Sequence, residues 1–132
     1  MNTIKATIND IQSVDNLCIV SFLAQDTQMQ MMSLGLNPNI KVGSSVILGV
    51  KSSNIFLAKN LSGMLSASNQ LKCKIKSINN GKLLSSIKLE FGDEIIQSVI
   101  TLSSSIKMNL LEGDEVVAII KSSELSILEV KE

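Results

Sequence analysis

The chain has 132 residues, 45% hydrophobic but only 2% aromatic; its 12 basic residues are all lysine, balanced by 12 acidic residues to a formal charge of zero, with no histidine. That length fits one average domain, and a neutral chain without arginine lacks the basic footprint of a nucleic-acid binder or any general attraction for anionic membranes. No apolar run approaches the ~20 residues of a membrane-spanning helix, and Met1–Gln12 has no apolar core of signal-peptide length, so the expected compartment is the cytoplasm. Cys18 and Cys73 form no CxxC pair, and without histidine a four-ligand zinc site is excluded; they read as small buried hydrophobes in a reducing compartment.

The chain repeats itself. Asn2, Lys5, Ile8 and Ile11 recur as Asn69, Lys72, Ile75 and Ile78, and GSSVILGVKSS (Gly43–Ser53) recurs as GDEVVAIIKSS (Gly113–Ser123). The first pair of blocks is offset by 67 residues and the second by 70, so the first copy is about three residues shorter between Ile11 and Gly43. Each half is too small for a comfortable core of its own, so the halves are expected to pack on each other, on further subunits, or both.

In the first half, Ile4, Ala6 and Ile8 alternate with polar residues, the signature of a half-buried strand. Asp15-Asn16 reads as a turn, Leu17–Leu23 as a more fully apolar strand, and Gln25-Asp26 as a second turn. Thr27–Ser33 carries Met29, Met31 and Met32. A soft-metal site is one reading; gap-filling in an aromatic-poor core is the reading preferred here. Leu34–Val42, with the only proline at Pro38, reads as a loop with a short helical turn. Ser45–Lys51 and Ile55–Lys59 are two further strands, joined by Ser52-Ser53-Asn54. Asn60–Ser68 links the halves and is expected to carry structure.

The second half repeats this order. Leu71, Cys73 and Ile75 alternate with Lys72, Lys74 and Lys76, a lysine row that reads as a solvated face. Asn79-Asn80-Gly81 is a hairpin signal, because Asn-Gly supplies the positive φ of a tight turn. Leu83–Phe91 and Glu94–Thr101 are strands around a Gly92-Asp93 turn. Ser103–Leu110 is a serine-rich connection with a helical turn, and Glu115–Lys121 and Leu125–Val130 close the chain. Five short strands per half, at turn spacings of ~8–12 residues, predict an all-β protein of two tandem five-stranded OB-like barrels, divided as 1–62 and 63–132.

Enzyme parts are few. The commonest general base is missing, no serine or cysteine sits in a nucleophile elbow, and there is no phosphate-loop motif; the chain reads as a binding protein without catalysis. Single-strand nucleic-acid binding needs aromatic platforms and a positive groove, and only Phe22, Phe56 and Phe91 are available. The Lys-Ser-Ser of each copy stands where an apolar strand surfaces. Two readings stay open there: an ordinary polar strand exit, or a lysine, two hydroxyls and backbone N–H groups closing on a small anion. Neutral donors in a rigid cup discriminate by size, since a smaller anion leaves buried donors unpaired at ~1–3 kcal/mol each.

The second half also resembles a family. Ser66-Ala67-Ser68-Asn69-Gln70 resembles the SARNQ opening of the Mop (TOBE, molbindin) domains. Thr101-x-x-Ser104, Met108-Asn109-Leu110 and Glu112-Gly113 are similar to their T-x-x-S-x-x-x-L-G-L-x-x-G stretch, and Val116–Ser123 resembles their V-x-A-x-I-K-A-S segment. The first half resembles the same domain through Leu34-Gly35-Leu36 and Val46–Ser53, which makes the whole similar to a di-Mop arrangement. The resemblance implies a cytoplasmic molybdate- or tungstate-binding protein for storage or homeostasis, a trimer with the oxyanion between subunits and no side chain bonded directly to the metal. The rival reading is an oxyanion-sensing module that regulates a transcription factor or transporter by contact. Carried over, the ligands would be Ser66 and Ser68 of one chain with Thr101, Ser104, Lys121, Ser122 and Ser123 of a neighbour. Ser68 replaces the family arginine, and the first half lacks both the Ser-Ala-Arg opening and the T-x-x-S element. Lys51, Ser52 and Ser53 remain there, so fewer or weaker sites are expected around it.

Overall fold

The computed structural model describes residues 1–131. It is all-β, with ten strands, one short helix and two 3-10 turns. The strands are β1 (Asn2–Val14), β2 (Leu17–Ala24), β3 (Thr27–Leu34), β4 (Ser45–Val50) and β5 (Ile55–Ala58), then β6 (Asn69–Asn80), β7 (Leu84–Phe91), β8 (Glu94–Thr101), β9 (Glu115–Ile120) and β10 (Ser126–Lys131). The helix α1 spans Leu102–Lys107, and 3-10 turns cover Ser52–Asn54 and Ser122–Glu124.

Alternation decides the strand faces, as period-2 patterning requires. Asn2, Ile4, Ala6 and Ile8 point inward on β1, and Asn69, Leu71, Cys73 and Ile75 do so on β6. Lys72, Lys74 and Lys76 face solvent. Met29 and Met31 fill the core while Met32 is exposed, the gap-filling role. Both cysteines are buried and unpaired. Before the fourth strand of each half, Gly43 and Gly113 adopt φ of +94° and +87°. Their N–H groups donate to Ile8 O and Ile75 O at 2.8 Å, which ties the turn to the first strand beside its bulge. A side chain there would meet no neighbour but would be forced into the left-handed region.

The sheets are not built in chain order. One is ordered β10-β4-β1-β2-β3, the other β5-β9-β6-β7-β8. Each half keeps four strands and gives its fifth to the other, a correction to the expectation of five consecutive strands per barrel. The Lys-Ser-Ser turn after β4 does not fold back; it carries the chain across to pair Ile55 with Ile120, and the equivalent turn after β9 carries it back to pair Ser126 with Gly49. One hydrophobic core runs through both barrels, including Ile4, Phe22 and Leu48 of one and Leu71, Leu89 and Ile120 of the other.

Three local expectations are corrected. Leu34–Val42 contains turns but no helix. The link Asn60–Ser68 has neither strand nor helix. Its reason is topological: β5 and β6 both run antiparallel to β9, with Ile55 and Asn69 each opposite Ile120, so the link must retrace the length of β5. Finally, neither Asn80 nor Gly81 has positive φ. The connection runs over Gly81–Leu83, closed by Gly81 N donating to Leu84 O at 2.8 Å, so the tight two-residue turn is not used.

Candidate oxyanion seam

The two Lys-Ser-Ser segments are the two crossovers between barrels. Each begins with an extended lysine (Lys51 φ −69°, ψ 142°; Lys121 φ −67°, ψ 138°) and closes one 3-10 turn. Asn54 N donates to Lys51 O, and Glu124 N to Lys121 O, both at 2.9 Å. Lys51, Ser53, Lys121 and Ser123 are exposed, and Ser52 and Ser122 half-buried. The first crossover packs on β8 and the second on β3, the edge strands of the sheets they enter or leave.

Cross-barrel hydrogen bonds reveal an approximate two-fold axis. Asn2 Nδ2 donates to Gln97 O (2.7 Å) and Asn2 Oδ1 accepts from Gln97 N (2.8 Å). The repeat-equivalent Asn69 does the same to Gln30, at 2.9 and 2.7 Å. Such reciprocal pairs are what an isologous contact requires. Asn2 Nδ2 also reaches Ser52 Oγ at 3.4 Å, joining the first crossover to this clasp. Asn54 Nδ2 donates to Glu124 Oε2 at 3.0 Å. These two residues are equivalent in the repeat, so their contact lies on the axis and sets the crossovers side by side.

Thr101 and Ser104 meet at the start of α1. Thr101 Oγ1 accepts from Ser104 N (3.2 Å) and donates to Ser104 Oγ (2.9 Å), the helix N-cap arrangement. At the other end Asn109, with φ +50°, closes a Schellman motif: Asn109 N donates to Ile106 O and Leu110 N to Ser105 O. Lys59, at the end of the exchanged β5, donates to Asn109 O (2.9 Å) and pairs with Asp114 at 3.0 Å. That ammonium, then the Leu111 N–H, hold the Asp114 carboxyl below its ordinary value. Burial pushes the Cys73 thiol up to about 12, against a smaller opposing effect of a backbone hydrogen bond with Ala118.

Ser66 and Ser68 lie exposed in the link, with no hydrogen bond to the other sequence-selected residues. One chain therefore gathers these residues into three groups: the paired crossovers, the Thr101–Ser104 cap, and the two link serines. Two open clefts occupy equivalent places in the barrels, about 540 Å³ beside Lys72, Lys74 and Glu115 and about 490 Å³ beside Lys5, Thr7 and Ser45; neither is lined by any of them. Among the described residues no group of three or more His, Cys, Asp or Glu is arranged to hold a metal ion, and no helix is long and apolar enough to cross a membrane.

Sequence reasoning missed Asn2 and Asn69. The signal was present: both recur in the repeat, and both fall in phase with the inward positions of their strands, where a buried polar group must find a partner.

Comparison with known proteins gives a consistent answer. The TOBE domain model matches residues 65–127. Over 65 residues, 48% of this chain and 96% of the relative, the chain is 37% identical to molybdenum-pterin-binding protein 3 of Clostridium pasteurianum. It is 38% identical to molybdenum-pterin-binding protein 1 of the same organism over the same shares. In fold it matches ModG, a cytoplasmic molybdate-binding protein in a crystal form with molybdate bound, with a TM-score of 0.89 over 96% of this chain and 94% of that one. At 23% identity that likeness speaks for the fold.

Proposed function

The chain belongs to the TOBE-domain (Mop, molbindin) family, and from that premise we propose that it binds a tetrahedral oxyanion, molybdate or tungstate, without changing it chemically. The observation that carries the reading is the meeting of both Lys-Ser-Ser crossovers at one seam. There, neither Lys51 nor Lys121 has a carboxylate partner among the described residues. A lysine ammonium supplies a point charge, and serine hydroxyls and backbone N–H groups supply neutral donors.

In this reading Lys121, Ser122 and Ser123, which pack on β3, and the Thr101–Ser104 cap, at the end of β8, are separate contributors to the sites. Ser66 and Ser68 of a neighbouring chain complete them, which accounts for their exposure and separation within one chain. Lys51, Ser52 and Ser53 form a weaker counterpart, since the first half keeps less of the family's sequence pattern. The assembly is a homotrimer of two Mop-like units, 1–62 and 63–132 in sequence, that exchange their last strands. The role is cytoplasmic storage or homeostasis of the anion, with no catalysis.

Calorimetric titration with molybdate, tungstate and sulfate tests this. Uptake of the two metal oxyanions in preference to sulfate is expected; an equal response to sulfate overturns the selectivity. Light scattering at micromolar concentration is expected to give a trimer, and a monomer contradicts sites shared between chains.

A further inference from the structure

We infer that Glu124 sets the affinity of the Lys-Ser-Ser seam for dianions by keeping an unneutralised negative charge on the pseudo-two-fold axis. The inference rests on the oxyanion reading and adds to it a residue that is neither cation nor neutral donor.

Glu124 follows the second Lys-Ser-Ser as Asn54 follows the first. The two are hydrogen-bonded to each other, so the carboxylate stands between the crossovers. It is exposed and forms no ion pair with Lys51 or Lys121; the ion pair among the described residues is Lys59–Asp114. A neutral amide holds the carboxylate in place and leaves its charge intact. The backbone N–H of Glu124 is spent on closing its own turn to Lys121 O. An anion bound at the second Lys-Ser-Ser thus meets an attracting ammonium and, one 3-10 turn later, a repelling carboxylate, and one bound at the first faces the same carboxylate across its bond to Asn54.

The repeat makes the asymmetry informative. A symmetric pair of glutamates would set two carboxylates against each other on the axis, and like charges in hydrogen-bond range cannot both stay ionised without cost. Asparagine on one side removes that conflict while keeping one negative charge. For a dianion ~8 Å away across water at its bulk dielectric, Coulomb's law gives about 1 kcal/mol, a penalty of roughly three- to tenfold in affinity, and salt reduces it. The seam is thereby tuned to hold its anion reversibly.

Glu124→Gln and Glu124→Ala in the full chain separate the charge from the bond. Gln removes the charge and keeps an acceptor for Asn54; Ala removes both. Titration with sodium molybdate at low and at physiological ionic strength is expected to show both variants binding about three- to tenfold tighter than wild type at low salt. The gap should narrow at higher salt, and either variant alone is enough for the comparison. Unchanged or weaker binding by a variant with wild-type unfolding behaviour overturns the inference and leaves the oxyanion reading intact. Tightening in neither, with a silent wild type, overturns both. A silent wild type beside a binding Glu124→Gln sustains the inference and overturns the storage role.

Discussion

The side chain of Asn69 is expected to contribute more to stability than any other single polar group in the molecule. It is 0% exposed, and its amide makes two bonds to the backbone of Gln30, at 2.7 and 2.9 Å. Gln30 lies on β3, the edge of its sheet, so no further strand satisfies those groups. The amide acts as a one-residue strand that seals the edge. Asn69→Ala strands one N–H and one C=O; at ~1–3 kcal/mol each, with partial relief by water because Gln30 is half-buried, the loss is about 2–4 kcal/mol. That is a large share of the ~5–15 kcal/mol that holds a typical domain together. Urea unfolding followed by far-UV circular dichroism should show a lower midpoint at unchanged slope. Asn69→Asp should cost at least as much, since it keeps the acceptor but turns a carboxylate toward Gln30 O. Asn2→Ala, at the chain start and 8% exposed, should cost less. An Asn69→Ala protein within ~0.5 kcal/mol of wild type would refute the edge-sealing argument, because that is the scatter of inconsequential surface changes.

Three further outcomes are expected. Lys121→Ala should weaken molybdate binding more than Lys51→Ala, since the second half keeps more of the family's sequence pattern; matched titrations giving the reverse order would overturn the assignment. Asp114 is held below its ordinary pKa by Lys59 and the Leu111 N–H, so its stabilisation is complete above the unfolded carboxylate value near pH ~4 and is lost as pH falls through the lower folded value. Asp114→Asn should be less stable at neutral pH and lose less on acidification, and an acid-unfolding curve parallel to wild type would contradict this. Cys73, buried and with its thiol pushed up to about 12, should resist alkylation at pH ~8 until the chain is unfolded, because the thiolate is the reactive form; rapid native labelling, located by peptide mapping, would show that strand to be open.

Most strands were readable because their residues state which face is buried. Ile4-Ala6-Ile8 and Leu71-Cys73-Ile75 fix both face and period, and Gln25-Asp26 turns with both residues at positive φ. The strand exchange was not readable. Ile55–Ala58 has the same pattern whether it pairs with β4 or crosses to β9, since alternation encodes burial and not the identity of the neighbour. Asn80-Gly81 misled for a related reason: one extra residue in the connection removes the need for positive φ, and Gly81 merely tolerates its place. At the candidate site the Lys-Ser-Ser repeat was legible as a recurring exit from a strand. That both exits meet was not, because the contact between Asn54 and Glu124 exists only once the chain has crossed twice.

The exchange also limits how this molecule can respond to a ligand. Paired domains on a flexible tether commonly grip by hinge closure. Here two strands stitch the barrels together in opposite directions and two buried amides rivet the join. Swinging one barrel away from the other would tear a strand out of each sheet, so the anion must be met by a rigid mould, and the choice among anions has to be made by fit before contact rather than by movement after it.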